Sequence, residues 1–163
     1  CAVHPISAVE SEYSLLTRDV EKEILPLTKE LGVTLVPFSP LGRGLVTNTI
    51  NVNALGENDF RKHLPRYNGI YWENNQKLTA EFAEIAESKG ITPAQLALAW
   101  ILAQSENIIP IPGTKRIKYL EENAKATDVN LLPDDISKIE LLLKKYPNIG
   151  NRYNEYDFKF VNK

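Results

Sequence analysis

The sequence predicts an α/β protein with parallel strands, and more closely the C-terminal portion of a (β/α)8 barrel. Short β-branched segments alternate with helical segments along the 163 residues, an order that produces parallel strands joined by right-handed crossovers. Three strands without neighbours leave two open parallel edges, which folded proteins normally cover. Three such units end near residue 126, and a closed barrel of eight needs roughly 250 residues. We therefore expect an incomplete barrel.

The first strand is predicted at residues 6–10, ISAVE, a short, partly apolar stretch after Pro5 that suits the start of a buried strand. The chain opens with CAVHPISAV and contains no methionine. We interpret it as a piece that begins inside a longer protein.

The first helix is predicted over residues 19–31, with Gly32 as its stop. Pro26 lies inside this segment, so we expect a kink or a late start. The apolar residues at helical spacing are Val20, Ile24, Leu27 and Leu31.

The second strand, residues 33–38 (VTLVPF), is rich in β-branched residues and ends at SPLGRG. Residues 45–74 follow as a long loop, and a loop of that length in a compact domain is usually functional. Its aromatic and cationic members would suit a flat or anionic substrate, although solvated loop residues would look the same. They are Phe60, Arg61, Arg66, Tyr67, Tyr71 and Trp72.

The remaining elements follow from caps and periodicity. Thr92 and Gln95, with Pro93 between them, have the elements of a capping box. The helix that they open is apolar nearly all round, so it must be buried. The predicted segments are a helix over 75–89, the capped helix to about 104, a third strand at 108–111, helices over 116–126 and 133–145, and a docked aromatic tail.

Composition and charge exclude several classes of protein. The formal net charge is −2 and the cations form no long run, so neither nucleic acid nor an acidic membrane is an expected partner. No apolar run approaches the roughly 20 residues that span a bilayer. The single cysteine, Cys1, excludes an internal disulfide and fits a reducing compartment, so we expect a cytoplasmic protein.

The stretch IIPIPGTKRIKYLEEN, residues 108–123, has the features of an anion site. Gly113 allows close approach of a ligand to the backbone. The amides at the start of the next helix carry the positive end of its dipole. Lys115 and Arg116 add full charges that could hold a phosphate, such as the 2′-phosphate of NADP. Solvated turn residues would give the same pattern, so both readings stay open.

The SPLGRG loop has two readings as well. Gly42 and Gly44 bracket Arg43 after a strand, an arrangement that could wrap a pyrophosphate or form a plain turn. Phe38, at the strand end, is either a stacking platform for a flat ring or the last core residue.

Four motifs in this order resemble the NADP-dependent aldo-keto reductases, above all the branch that includes pyridoxal reductases. They are VPFSPLGRG, FRKHLPRY, TPAQLALAW and IPGTKRIKYLEEN. The resemblance extends over essentially all 163 residues. It implies that residues 1–163 are the C-terminal part of a single (β/α)8 domain, strands six to eight, in an enzyme that reduces aldehydes or ketones with NADPH.

The same resemblance implies a role for each cofactor residue. Phe38 would stack on the nicotinamide ring. The pyrophosphate strap would be Ser39, Pro40, Leu41, Gly42 and Arg43. The site of the adenosine 2′-phosphate would be Gly113, Thr114, Lys115 and Arg116, and the pair that reads the adenine would be Glu122 and Asn123.

Glu10 departs from the family, which usually has a glutamine that bonds the nicotinamide carboxamide. An ionised Glu only accepts hydrogen bonds, so it could bias the affinity between NADP⁺ and NADPH. A Glu10→Gln variant tests this hypothesis, and an unchanged ratio of the two affinities would refute it.

The catalytic residues of the family are the second departure, because its Asp, Tyr, Lys and His lie in the N-terminal half of the barrel and no matching motif occurs here. His4 and His63 are interpreted as structural or solvated, since neither has a partnered base or metal-ligand spacing. We expect the chain alone to be inactive, with the N-terminal half as its partner and a small carbonyl compound as substrate.

Two other functions were weighed against this one. The first is a catalytically inactive NADP-binding or regulatory module. The second is a free-standing flavodoxin-like domain, which would need a phosphate loop after the first strand. The segment ESEYSLL offers no glycine there.

Overall fold

A computed structural model describes residues 3–161, so Cys1 lies outside the described residues. Residues 3–161 form two strands and six α-helices, which are connected by loops and 3-10 turns. The regular elements are β1 (Ala8–Glu12), α1 (Ile24–Leu31), β2 (Thr34–Phe38), α2 (Gly69–Ser88), α3 (Pro93–Leu102), α4 (Ile117–Ala124), α5 (Pro133–Lys145) and α6 (Glu155–Phe158). The 3-10 turns are Asp19–Glu21, Gly42–Thr47, Val52–Ala54, Phe60–His63, Pro65–Tyr67 and Lys125–Asp128.

The sheet is parallel, as predicted. β1 and β2 pair from Ala8 opposite Thr34 to Glu12 opposite Phe38. The predicted third strand is reduced to one parallel bridge, between Leu35 and Ile108.

The backbone of residues 108–111 nevertheless follows β2. The N–H groups of Ile109 and Ile111 donate to the carbonyls of Leu35 and Pro37, at 2.9 and 3.0 Å. The nitrogens at 110 and 112 therefore point away from β2, and both belong to prolines, which have no N–H. Within residues 3–161 this segment is the edge of the sheet, and its outer side lacks donors at those two positions.

The first helix starts late, which confirms the expectation from Pro26. A 3-10 turn at Asp19–Glu21 comes first, and α1 begins at Ile24. Pro26 therefore falls in the first turn, where a missing N–H breaks no helical bond. Gly32 ends α1 in the left-handed region, with φ of 64°. The apolar residues predicted at helical spacing are only partly covered within residues 3–161. Val20, in the 3-10 turn before α1, is buried, but Ile24, Leu27 and Leu31 on α1 are exposed.

The long loop is shorter than predicted, because α2 begins at Gly69 rather than near residue 75. Short 3-10 turns organise what remains. The Asn68 side chain donates to the carbonyls of Lys62 and Leu64, each at 2.8 Å, and so ties the loop to the start of α2. The prediction was wrong because Gly69 opens this helix and a polar run, residues 73–77, interrupts its apolar periodicity.

The core is built around α3, which is buried over most of its length, as predicted. Its capping box forms: Thr92 accepts from the N–H of Gln95, and Gln95 accepts from the N–H of Thr92. The largest fully buried side chains include Trp100 from α3, Tyr13 from the segment after β1, Phe82 from α2 and Leu35 from β2.

The start of the tail docks on the body, as predicted, whereas Tyr156 and Phe160 further along it are exposed. The Arg66 Nε donates to the carbonyl of Gly150 at 3.1 Å, and the Asn75 side chain donates to the carbonyl of Ile149 at 2.9 Å. A side chain at Gly150 would meet the Tyr71 ring at 2.8 Å, so the chain passes this point closely. Among the helices of the described residues, none has the length and apolar character needed to cross a membrane.

Candidate functional site

Two candidate loops follow neighbouring parallel segments at the carboxyl end of the sheet. β2 ends at Phe38, and Ile111 is hydrogen-bonded beside Pro37. Because all these segments are parallel, the loops that follow them leave the carboxyl ends side by side, the usual place for a ligand in α/β proteins. The geometry thus brings together Phe38, the loop 39–44 and the loop 113–116.

Glu10, Glu12 and Phe38 share one face of the sheet. Alternate residues of a strand point to the same side, so Glu10 and Glu12 lie on one face of β1. Phe38 is the register partner of Glu12, and paired residues face the same way. Glu10 is exposed, whereas Phe38 is partly buried. The residues that the resemblance assigns to the nicotinamide end therefore lie on the same side of the sheet.

The loop 39–44 has an unusual backbone. Four of its residues lie at positive φ: Ser39 (50°), Gly42 (57°), Arg43 (57°) and Gly44 (91°). Such a conformation costs of order 1 kcal/mol or more for a non-glycine residue, so the surroundings must hold Ser39 and Arg43. Pro40 is buried and Leu41 packs against the core. Strain of this kind concentrates at ligand sites, which makes this loop the first candidate.

Two side chains from residues 61–67 hydrogen-bond the backbone of this loop. The Tyr67 hydroxyl donates to the carbonyls of Gly42 and Arg43 at 3.0 and 3.3 Å. An Arg61 Nη1 also donates to the carbonyl of Arg43, at 3.3 Å. Burial raises the pKa of Tyr67 to about 12, so its hydroxyl keeps the proton that it donates. Two loop carbonyls are therefore fixed.

The Arg43 side chain is already paired inside the protein. Its Nη2 lies 3.0 Å from Glu12 Oε2, and the two side chains are 11% and 2% exposed. A second donor, Nη1, reaches Glu12 Oε1 at 3.4 Å and the carbonyl of Arg152 at 3.3 Å. The guanidinium also stacks over the Tyr153 ring, 4.8 Å from its centroid. Any contact of residue 43 with a phosphate would thus fall chiefly to its backbone.

The loop 113–116 is open and carries cations. All four residues are exposed, and Thr114 Oγ1 accepts from the Arg116 N–H at 3.3 Å, next to the start of α4. Neither Lys115 nor Arg116 forms an ion pair within residues 3–161. Gly113 has an ordinary φ, and a Cβ there would meet no atom within 4 Å. The fold of the described chain therefore does not itself explain a glycine.

Glu122 and Asn123 are partly buried on α4. Glu122 Oε1 accepts from the Thr92 hydroxyl at 2.8 Å, and its carbonyl accepts from the Gln95 side chain at 3.2 Å. These bonds join α4 to the capping box of α3. One carboxylate oxygen of Glu122 is thus used within the fold.

Other candidates take different places. His4 and His63 are exposed, and the described residues contain no group of three or more His, Cys, Asp or Glu that could hold a metal. Of two surface cavities, neither borders Phe38 or Lys115. One, of about 390 Å³, is lined by Val52, Asn53, Leu55, Lys62, Tyr67 and Asn68. The other, of about 480 Å³, is lined by Asn151, Glu155, Phe158, Lys159 and Val161.

No motif in the sequence points to Glu12, and the sequence predicts Arg66 and Tyr67 in a substrate loop or in solvent. Both of the latter are buried, at 6% and 4% exposure, and they hold the fold around the loop 39–44. The sequence offers only a weak signal of this burial: Arg66 and Tyr67 follow Leu64 and Pro65, and an apolar pair of this kind is not typical of an exposed loop.

Comparison with known proteins adds to this geometry. The sequence profile described as "Aldo/keto reductase family" matches residues 2–144. The Glycine max protein named "Probable aldo-keto reductase 1" is 40% identical over 165 residues, 99% of this chain and 48% of that protein. The chain thus spans about half the length of this curated relative.

Solved structures show the same fold. The glycerol dehydrogenase of Gluconobacter oxydans superposes with a TM-score of 0.83 at 22% identity, over 89% of this chain and 44% of that one. An aldo-keto reductase from Klebsiella pneumoniae, solved in complex with NADPH, superposes with a TM-score of 0.58 at 22% identity, over 86% of this chain and 39% of that one.

Proposed function

Since the chain belongs to the aldo/keto reductase family, whose members are generally oxidoreductases, we propose that it supplies the cofactor-binding half of an NADPH-dependent carbonyl reductase. One observation carries the proposal: the strained loop 39–44 and the cationic loop 113–116 open side by side at the carboxyl edge of the sheet. Two adjacent loops with the features of anion sites suit a dinucleotide with an additional phosphate.

The residues divide along the length of the cofactor. Phe38 would stack on the nicotinamide, with Glu10 accepting from its carboxamide. The loop from Ser39 to Arg43 would strap the pyrophosphate. Lys115 and Arg116, with Gly113 and Thr114, would bind the 2′-phosphate, and Glu122 with Asn123 would read the adenine. The uncompensated charge on loop 113–116 supports the preference for NADP(H), because a phosphate there meets cations that no carboxylate has neutralised.

The partner that we propose is the N-terminal half of the same barrel, so that this chain contributes strands six to eight. The described chain leaves apolar side chains uncovered along α1 and along the edge segment, where Ile109 and Ile111 are 60% and 46% exposed. Apolar surface on this scale usually marks an interface. The half barrel would cover it and would bring the acid that protonates the carbonyl oxygen. Turnover of a small aldehyde or ketone, in the cytoplasm, would need both halves.

Loss of one cation tests the 2′-phosphate site. A charge-assisted hydrogen bond is worth roughly 1.5–3 kcal/mol, so Lys115→Ala should weaken NADPH binding about 10- to 150-fold. NADH lacks the phosphate, and its affinity should change little. Fluorescence titration of both cofactors, with and without a supplied N-terminal half, measures the difference.

Lys125→Ala is the matched control, because Lys125 is exposed and lies just beyond the far end of α4. It removes the same charge from the protein and should leave both affinities within about twofold. Equal losses of NADPH and NADH in Lys115→Ala would remove the 2′-phosphate assignment. Failure of the two halves to reduce any carbonyl substrate would favour a binding module instead.

A further inference from the structure

Three arginines form a guanidinium cluster next to the buried Glu12: Arg43 pairs with Glu12, Arg66 lies one hydroxyl away from it, and Arg152 lies with Arg43 against the Tyr153 ring. Arg66 donates to Thr17 Oγ1 at 2.9 Å and to the carbonyl of Leu16 at 2.6 Å. Thr17 in turn donates to Glu12 Oε1 at 3.2 Å. Arg66 therefore reaches the carboxylate through a hydroxyl and not directly.

The guanidinium cluster carries more positive than negative charge. Its two carboxylates are Glu12 and Asp19, and Asp19, which meets Arg152 at 3.0 Å, is 75% exposed. Arg66 bonds only hydroxyl and carbonyl oxygens among the described residues. Burial lowers the pKa of Arg66 to about 10, because the charged guanidinium is poorly solvated there. An anion bound at the loop would offset part of the cost of this burial.

The loop peptide between residues 42 and 43 is oriented by its carbonyl. The Gly42 oxygen is bonded to the buried Tyr67 hydroxyl at 3.0 Å. A trans peptide is planar and places its N–H opposite its C=O, so the Arg43 N–H points away from Tyr67. The Glu12 ion pair fixes the other end of the same residue, its side chain. Both the peptide before Arg43 and the Arg43 side chain are thus fixed.

The N–H groups of Gly42 and Gly44 already donate to the carbonyls of Ser39 and Leu41. We propose that Glu12 and Arg43 are positioning residues, whose ion pair holds the Arg43 N–H of loop 39–44 in place for the pyrophosphate of a dinucleotide. The inference rests on the proposed function and deepens it, since it separates the pyrophosphate determinants from those of the 2′-phosphate on loop 113–116. The tail takes part, because Arg43 also donates to the carbonyl of Arg152 and stacks on Tyr153.

Two ligands separate the positioning role from a general loss of structure. NADP⁺ contains the pyrophosphate, whereas adenosine 2′-phosphate contains only the groups that loop 113–116 and α4 would bind. Glu12→Gln should weaken NADP⁺ at least tenfold in a calorimetric titration and leave adenosine 2′-phosphate, followed by NMR, within twofold. Arg43→Lys keeps the charge but loses the two-pronged geometry, so it should lose less affinity for NADP⁺ than Glu12→Gln.

Glu140→Gln is the control, because it breaks another partly buried ion pair, with Arg18 at 2.7 Å. It should leave both affinities within twofold. Equal weakening of both ligands by Glu12→Gln, or no weakening of NADP⁺, would overturn the inference.

Hydrogen exchange of the ligand-free protein gives a reading that needs no cofactor. Glu12→Gln should speed exchange at least tenfold in residues 39–46 and 150–153, and Glu140→Gln should not. Unchanged exchange in the loop would also refute the inference. If the wild-type protein binds neither ligand, the proposed function fails, while exchange still shows whether the ion pair orders the loop. If Glu12→Gln does not fold, Arg43→Lys and Tyr153→Leu serve in both measurements.

Discussion

A single methyl group at Gly113 offers a sharp test of the cofactor site. Gly113 has an ordinary φ, and a Cβ built there meets no atom within 4 Å. Alanine should therefore fit without strain and stabilise the protein by about 0.4–1 kcal/mol, because it restricts the unfolded chain. For a protein of this size, that gain corresponds to a rise in Tm of about 1–4 °C.

The same methyl group should harm the binding of NADPH. If a phosphate approaches the backbone of loop 113–116, the methyl occupies part of its space, and crowding of this kind costs roughly 1–3 kcal/mol. The expected result of Gly113→Ala is therefore a more stable protein with about 5- to 150-fold weaker NADPH binding. Differential scanning calorimetry and fluorescence titration measure the two effects.

Gly56→Ala is the matched control, since Gly56 also has an ordinary φ and nothing within 4 Å of a Cβ. It should raise the Tm by a similar amount and leave the NADPH affinity unchanged. If Gly113→Ala also binds NADPH as the wild type does, no ligand comes close to that backbone, and the phosphate site must be sought elsewhere.

Three further changes test the fold. Gly32→Ala forces alanine into the left-handed end of α1 and should lower the free energy of unfolding by about 1–2 kcal/mol in urea denaturation; no loss would contradict this helix end. Phe82→Ala, in a side chain only 1% exposed, should cost about 3–5 kcal/mol in the same assay, and a cost below 1 kcal/mol would contradict its burial. The Arg61 guanidinium lowers the pKa of Asp59 to about 2, so the stability from this pair is present above pH 4 or so and is lost as the pH falls toward 2. Asp59→Asn should flatten the acid limb of the stability curve there, and an unchanged slope would count against the pair.

Much of the fold could be predicted because its signals are local. The last long helix, Pro133–Lys145, has the predicted bounds, since a proline at its first position and the Tyr146-Pro147 stop are both visible in the sequence. The capping box of α3 and the late start of α1 are also properties of a few adjacent residues.

The rest depends on contacts between distant residues. The third strand pairs with β2 only through the bridge between Leu35 and Ile108, and the extent of this pairing depends on a strand that is distant in the sequence. Residues 42–67 form consecutive 3-10 turns, which have no helical or strand periodicity. The candidate site could be located by its glycines and cations. The pairing of Glu12 with Arg43 could not, because 31 positions separate them and the identity of neither residue names its partner.

Pro110 and Pro112, on the edge segment of the sheet, affect how firmly a further strand can pair there. A strand that pairs with this edge receives no N–H hydrogen bond from positions 110 and 112. The pairing therefore depends on the N–H donors of the added strand and on side-chain contacts. When a strand separates from this edge, few main-chain hydrogen bonds are lost. Two pieces of the sheet that meet along residues 108–111 should therefore separate and reassociate more easily than pieces that meet inside the β1–β2 pair.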